Sequence, residues 1–408
     1  MSASTSASTP AVADAFVERS VLEPMAEGPL RGTSFAAKDN YDVAGRPTGC
    51  GNPDWRATHS APQVNATAVD MLLNAGARLI GKTRTDELAY SLDGRNFHEG
   101  APQNPAAPER LTGGSSSGAA SATAAKAIDF ALASDTAGSV RVPAAWCGLF
   151  GMRPTHARVS VAGLTPLAPS FDTVGWLARS TSLMRKVGAV LLGATVGRER
   201  VSASYPSSAP SASSPPSFVR DPAIEILAEA AGAQALQQML DRCAAQWGRV
   251  APVSLGIDLT AAAECLRVLQ GQEVWNTHGR WIEAVQPRFG PGITERFAAA
   301  RAMTGVQARE AARERAAIIA RLDAALPPGL ILCLPTVPGP APRRDATAEQ
   351  LQLRRTQLLP LTALASLTGR PQITLPLPAI DAPVGFSLLG WRDGDEALLE
   401  IAELLSPS

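Results

Sequence analysis

The sequence predicts an α/β fold organised on a single sheet, and three features carry that prediction. Short apolar runs of strand length, ARLIG at 77–81 and IDFALA at 128–133, lie among helix-spaced segments in the first half. Three more, LILCLPTV at 330–337, QITLPLP at 372–378 and VGFSLLGW at 384–391, close the chain. Between the two groups the text is mostly helical. Strands at both ends with helices between them imply one sheet completed by the C-terminal third. At 408 residues, 45% hydrophobic and 18% charged, the chain can bury a large core and is too apolar to be disordered.

Taken in order, residues 1–25 open on MSASTSASTPAVADAF, which has neither a basic stretch nor an apolar one. That composition predicts a flexible tail rather than a secretory leader. VDMLLNAGA (69–77) has helical spacing and stops at Gly76, a natural C-terminal cap. ARLIG then reads as a strand, and Thr85 is expected to cap a helix beginning DELAYSL. LTGGSSSG leads into the Ala-rich helix GAASATAAKA (118–127). IDFALA is a continuous apolar run suited to a buried strand, and SDTAGSVR (134–141) reads as a loop. Residues 202–217 are a low-complexity Ser/Pro/Ala stretch expected to be an exposed loop, and 221–325 reads as a mostly helical insertion. One domain is expected over 26–405.

Composition excludes several functions. Lys+Arg and Asp+Glu are both 37, so the basic face that a nucleic-acid partner requires is not expected. No apolar run approaches membrane-spanning length. The five cysteines are odd in number, widely spaced and form no CxxC pair, and the four histidines show no metal-ligand spacing. The expectation is a cytoplasmic protein without metal or cofactor. Only four of the 37 basic residues are lysine, namely Lys38, Lys82, Lys126 and Lys186. Arg keeps its proton at any working pH, whereas a buried Lys can lose one and act as a base. A chain that otherwise uses Arg and still places Lys at a given spot is a candidate for lysine chemistry there.

Two motifs are decoys. GARLIGKT (76–83) satisfies the P-loop pattern, but its loop positions are apolar and strand-forming, and the order is helix, cap, strand. GSSSG (114–118) satisfies the nucleophile-elbow pattern with Ser116, but PERLT before it is a poor core strand. The chemistry lies across 113–141. Ten helical residues rise about 15 Å, and six strand residues return about 20 Å, so the SDTAGS loop comes back to the edge holding GGSSSG. Successive amides in TAGS suit a developing oxyanion. Neither loop contains histidine, so a serine nucleophile needs another base, and a deprotonated lysine is the candidate.

GGSSSGAASATAAKAIDFALASDTAGSVRVPAAWCGLFGMRPTHARVS resembles the defining segment of the amidase signature family, with its GGSS and GS[VI]R pair followed by P-x-x-x-C-G. FAAKDNYDVAGRPTGCG resembles that family's lysine block and GKTRTDELAYS its GKT block. LPTVPGPAP, GRPQITLPLP and PVGFSLLG resemble its late strands, so the likeness covers roughly residues 25 to 405. Within the family, KDNYDVAGRPTGCGNPDW, LAYSLDGRNFHEGAPQNP and LTPLAPSFDTVGW are most similar to the plant-type indole-3-acetamide amidohydrolases and their plastid-import relatives.

The resemblance implies a mixed central β-sheet flanked by α-helices and a Ser-Ser-Lys triad. The nucleophile falls on Ser139, the bridging serine with its cis peptide bond on Ser115, and the base on Lys38. The oxyanion amides fall on Thr136, Ala137, Gly138 and Ser139. Ala137 stands where the family usually has Gly, and Trp146 where smaller aromatics are common. Trp146, Phe171, Asp172 and Trp176 are candidates to line the acyl pocket. Arg141 is expected to pair with Asp135, Lys82 to be structural, Ser116 and Ser117 to cap a helix, and Cys147 and His98 to be ordinary packing and loop residues. The implied reaction is hydrolysis of a carboxamide to an acid and ammonia or an amine, on an arylacetamide such as indole-3-acetamide. A glutaminase-type amidotransferase subunit and a non-catalytic adaptor on the same fold are the alternatives. The partner implied is a small-molecule amide, with no nucleic acid and no membrane, and a homodimer is left open.

Overall fold

The computed structural model describes residues 14–193, 216–377 and 382–406. Strand β1 (Phe16–Leu22) and β2 (Ser34–Lys38) precede the helices α1 (Pro53–Thr58) and α2 (Thr67–Asn74), and β3 (Arg78–Thr83) follows. Next come α3 (Ser117–Ala124), β4 (Phe130–Asp135), α4 (Arg141–Trp146), β5 (Phe150–Arg153), β6 (Thr173–Ala178) and α5 (Thr181–Gly193). Then follow β7 (Ser217–Arg220), α6 (Pro222–Glu225), α7 (Ala230–Trp247) and β8 (Ala251–Pro252). Three helices succeed them, α8 (Leu259–Val285), α9 (Ile293–Arg301) and α10 (Gly305–Ala325). The chain ends with β9 (Leu330–Pro335), α11 (Ala348–Thr368), β10 (Gln372–Leu377), β11 (Val384–Leu389) and α12 (Asp395–Leu405).

Among the described residues the strands form one eleven-stranded sheet in the order β1-β3-β2-β4-β6-β5-β10-β11-β9-β7-β8. It is mixed: β2 runs parallel to β3 and β4, β7 runs parallel to β8 and β9, and the other pairs are antiparallel. All six residues of β4 are buried. A central strand covered on both faces needs such an unbroken apolar run, which IDFALA supplies. The three longest described helices start where side chains satisfy their free amides. Asp258 caps α8, while Thr304 with Gln307 and Thr347 with Gln350 form capping boxes on α10 and α11.

Three sequence expectations need correction. The tail predicted over 1–25 contains β1, which pairs antiparallel with β3 at the edge of the sheet. Its mixed pattern FVERSVL hides the strand, because an edge strand buries only part of each face. The helix expected at DELAYSL is a single 3₁₀ turn, Glu87–Ala89. Leu88 and Ala89 take φ of 46° and 57°, which an α-helix does not accommodate. The Leu88 amide instead donates to Cys50 O at 2.8 Å. Finally, most of the low-complexity stretch 202–217 lies outside the described residues, but Ser217 opens β7 rather than closing a loop.

The P-loop pattern dissolves into structure, since its central residues are β3 itself. Lys82 is fully buried, pairs with Asp39 at 2.8 Å and donates to Pro47 O at 3.1 Å, so its charge ties β3 to the loop after β2.

Candidate active site

The parallel neighbours β2 and β4 end at the same edge of the sheet, with Ala37 level with Leu132. That register brings Lys38, the last residue of β2, beside Ser134 near the end of β4. The loop preceding α3 closes over both. Lys38 is fully buried, and its Nζ donates to Ser115 Oγ at 2.7 Å and to Ser134 Oγ at 3.0 Å. The Gly114–Ser115 peptide bond is cis. Asn40 Nδ2 also donates to Ser134 Oγ at 3.0 Å, so this hydroxyl is fixed by two donors. Burial strips water from the Lys38 ammonium and lowers its pKa to about 8, against the opposing pull of the Asp86 and Asp135 carboxylates.

Asp135 organises the turn that follows. Its Oδ1 accepts from Gly138 N at 2.9 Å and its Oδ2 from Val140 N at 3.0 Å, so one carboxylate gathers the turn into the start of α4. Two buried guanidiniums complete it, Arg141 Nη2 at 2.8 Å and Arg153 Nη1 at 2.9 Å. Burial alone would raise this carboxyl, but Arg141 and Arg153 outweigh it and hold it well below the usual carboxylate range. Arg141 then reaches Thr362 O, Ser366 Oγ and Gln372 Oε1, linking the turn to α11 and β10.

Ser139 sits on this turn, buried, and its Oγ hydrogen-bonds no group among the described residues. The four amides assigned to an oxyanion are not equivalent. Gly138 N is occupied by Asp135, whereas no hydrogen bond among the described residues engages the Ala137 or Ser139 amides. Gly138 has a φ of 128°, and a Cβ there would lie 3.0 Å from Thr362 Cγ2. Only glycine suits that combination of backbone and close approach. Thr136 Oγ1 donates to Asp172 Oδ1 at 2.6 Å.

The remaining predicted residues take definite positions. Asp172 Oδ2 accepts from the Leu167 and Ala168 amides at 2.9 and 3.0 Å, so its carboxylate pins the 167–172 loop to the Ser139 turn through Thr136. Phe171 is fully buried under the Arg315 guanidinium, 4.4 Å from its ring centroid. Trp146 donates through Nε1 to Gly339 O at 2.9 Å. Its ring would touch a Cβ at Gly113, and it packs in the wall behind the Ser115 loop. Trp176 is buried, donates to Met184 O at 3.2 Å and packs against Gly188 of α5. Ser116 occupies the N-cap position of α3 without a capping bond, its Oγ lying 3.4 Å from Ser134 O. Cys147 Sγ lies 3.5 Å from Thr112 O, and burial pushes its thiol well up. His98 Nε2 lies 2.9 Å from Glu87 Oε1, in a loop contact.

Sequence reading missed Ser134 and Asn40, whose meeting with Lys38 depends on which strands are neighbours. It also missed Asp86, which is fully buried, accepts from Gly94 N at 2.9 Å and has its pKa raised to about 6 by burial and by Asp93. Chemically, this arrangement holds a lysine that can shed its proton near neutrality, two serines and a turn with unengaged amides. No group of three or more His, Cys, Asp or Glu among the described residues could hold a metal ion, and no described helix is long and apolar enough to cross a membrane.

The family model described as Amidase matches residues 5–220. Amidase 1 of Arabidopsis thaliana is 37% identical, covering 96% of this chain and 97% of that protein. The "Translocon at the outer membrane of chloroplasts 64" of Pisum sativum is 33% identical over 92% of this chain and 66% of its own length. A crystal structure of an amidase superimposes with a TM-score of 0.81 at 30% identity, covering 93% of this chain and 85% of that one.

Proposed function

Since the chain belongs to the amidase signature family, we propose that it hydrolyses a carboxamide to a carboxylic acid and ammonia or an amine through a serine acyl-enzyme. The observation that carries this reading is the buried Lys38, with its Nζ 2.7 Å from Ser115 Oγ beside the turn bearing Ser139. In the neutral amine this hydrogen bond reverses. Lys38 accepts the Ser115 proton, Ser115 accepts the proton of Ser139, and Ser139 Oγ bonds to the amide carbon. The Ala137 and Ser139 amides receive the charge that develops on the carbonyl oxygen. The relay then returns a proton to the amide nitrogen, the C–N bond breaks and the amine leaves. Water attacks the acyl-enzyme through the same relay, releasing the acid and restoring Ser139. Ser134, held by Asn40, keeps the Lys38 amine aimed at Ser115.

The local motifs favour an arylacetamide such as indole-3-acetamide as substrate. Five free, buried thiols support a cytoplasmic setting. A glutaminase-type subunit would need partner chains, so turnover by the purified lone chain argues against it. The likeness to a chloroplast translocon component favours a non-catalytic adaptor as the other reading, and the presence of Lys38, Ser115 and Ser139 together opposes it. The test is intact mass and peptide mapping after treatment with a fluorophosphonate. One adduct on Ser139, absent from Lys38→Ala and not restored in Lys38→Arg, is the expected result. An adduct on Ser116, or full labelling of Lys38→Arg, overturns the mechanism.

A further inference from the structure

Among the described residues, every buried arginine but one donates several hydrogen bonds, although the Nε atoms of Arg153 and Arg370 have no partner. Arg141 donates to Asp135, Thr362, Ser366 and Gln372, and Arg153 to Asp135, Thr136 and Phe171. Arg355 on α11 is only 8% exposed, yet it donates no hydrogen bond and forms no ion pair among the described residues. Its nitrogens are not among the sealed polar atoms that lack a partner, so solvent reaches the guanidinium. An uncompensated buried charge is costly and calls for an explanation outside the resting contacts.

The surroundings supply no such partner. Arg355 lies within electrostatic reach of Arg296, Asp93, Tyr90 and Asp86. Asp93 is already taken by Arg296 at 3.4 Å and by Ser91 Oγ at 2.8 Å. Asp86 uses Oδ2 on the Gly94 amide, and its Oδ1 is sealed away without a partner. The Tyr90 hydroxyl, beside Arg355, also hydrogen-bonds no protein group among the described residues.

Position links this group to the reaction. Asp86 is in electrostatic reach of both Lys38 and Arg355, so the two cations share one acidic neighbour. On α11, Thr362 abuts the turn at Gly138, and Arg355 sits seven residues earlier on the same helix face. That spacing corresponds to about 10 Å along the axis, the reach of a short chain. A guanidinium with its fork unoccupied matches a carboxylate in two parallel hydrogen bonds.

We propose that Arg355 binds an acid group at the far end of the substrate, so that the preferred substrates are amides bearing a carboxylate a few bonds from the scissile carbonyl. This rests on the amide-hydrolase reading above and narrows its substrate class away from neutral arylacetamides.

The test compares the monoamides of succinic, glutaric and adipic acid with neutral amides in which isopropyl replaces the carboxylate. For the wild-type chain, kcat/KM for at least one acid is expected to exceed that of its neutral counterpart tenfold or more. The ratio should fall at least tenfold in Arg355→Gln, and Arg355→Lys should keep part of it. Ratios near one throughout the wild-type series, or a preference that survives Arg355→Gln, overturn the proposal. The wild-type comparison needs no variant, so a misfolded Arg355→Gln leaves it decisive. Should neither series release ammonia, the hydrolase reading fails by itself. Calorimetry of the acids on Ser139→Ala then decides Arg355 separately. Binding at least tenfold tighter than the neutral amides, lost when Arg355→Gln is added, supports it, and equal or undetectable binding overturns it.

Discussion

Lys38 and Asp135 face the same problem of burial and solve it in opposite ways. The lysine is left with hydroxyl partners, so removal from water wins and its pKa falls to about 8. The neutral form is the reactive one, so activity rises with pH. The pH profile of kcat/KM is expected to climb tenfold per unit below about 8 and to level off above it. A profile flat from pH 6 to 10 would remove Lys38 from the base role. Asp135 is instead given two guanidiniums and stays ionised. Asp135→Asn keeps the shape but leaves Arg141 and Arg153 without their carboxylate. A loss of about 3–5 kcal/mol is expected, measurable as a lower denaturant midpoint. Lys38 was legible as a residue because lysine is scarce. Ser134 was not, because one serine beside an aspartate says nothing until β2 and β4 are known to be parallel neighbours.

Elements were legible in proportion to how little they depend on their surroundings. IDFALA and the three C-terminal runs declare themselves, since strands covered on both faces must be apolar throughout. β1 did not, because it contributes only an edge. Its attachment relies on Gly81, which has a φ of 154° and where a Cβ would sit 2.2 Å from Glu18 O. Gly81→Ala therefore pushes β1 off β3. A cost of about 1–3 kcal/mol is expected, with amide hydrogen exchange accelerated in β1 and unchanged in β4. Equal exchange in β1 would show that the edge absorbs the methyl group. The failed helix at DELAYSL has the same origin in tertiary contacts. Its backbone is bent by the bond from Leu88 N to Cys50 O, and the Asp86 and Glu87 carboxylates are spent on amides and side chains elsewhere. Arg355 likewise reads as one more charge on a helix until the fold buries it.

At the scale of the molecule, the reacting groups come from one half of the chain and their support from the other. Arg141 reaches across to Thr362, Ser366 and Gln372, and β5 completes its hydrogen bonding on β10. A fragment ending at residue 220, the span matched by the family model, lacks all of these. It is expected to show no cooperative unfolding, no near-ultraviolet circular dichroism and strong binding of an apolar dye. A sharp thermal transition in that fragment would mean the first half is self-sufficient. Strands at both ends of the chain were legible as members of one sheet, but the insertion of β10 beside β5 appears only in three dimensions.

Pro360 interrupts α11 between these two kinds of work. From Leu361 to Thr368 every residue is buried, and this portion clamps the Ser139 turn through Thr362 and Ser366. Ahead of the proline, exposed and buried positions mix, and Arg355 projects from that portion. The proline ring cannot donate a backbone hydrogen bond, so one rung of the helix is missing where the two portions meet. Substitutions ahead of Pro360 leave the bonds from Arg141 to Thr362 and Ser366 in place.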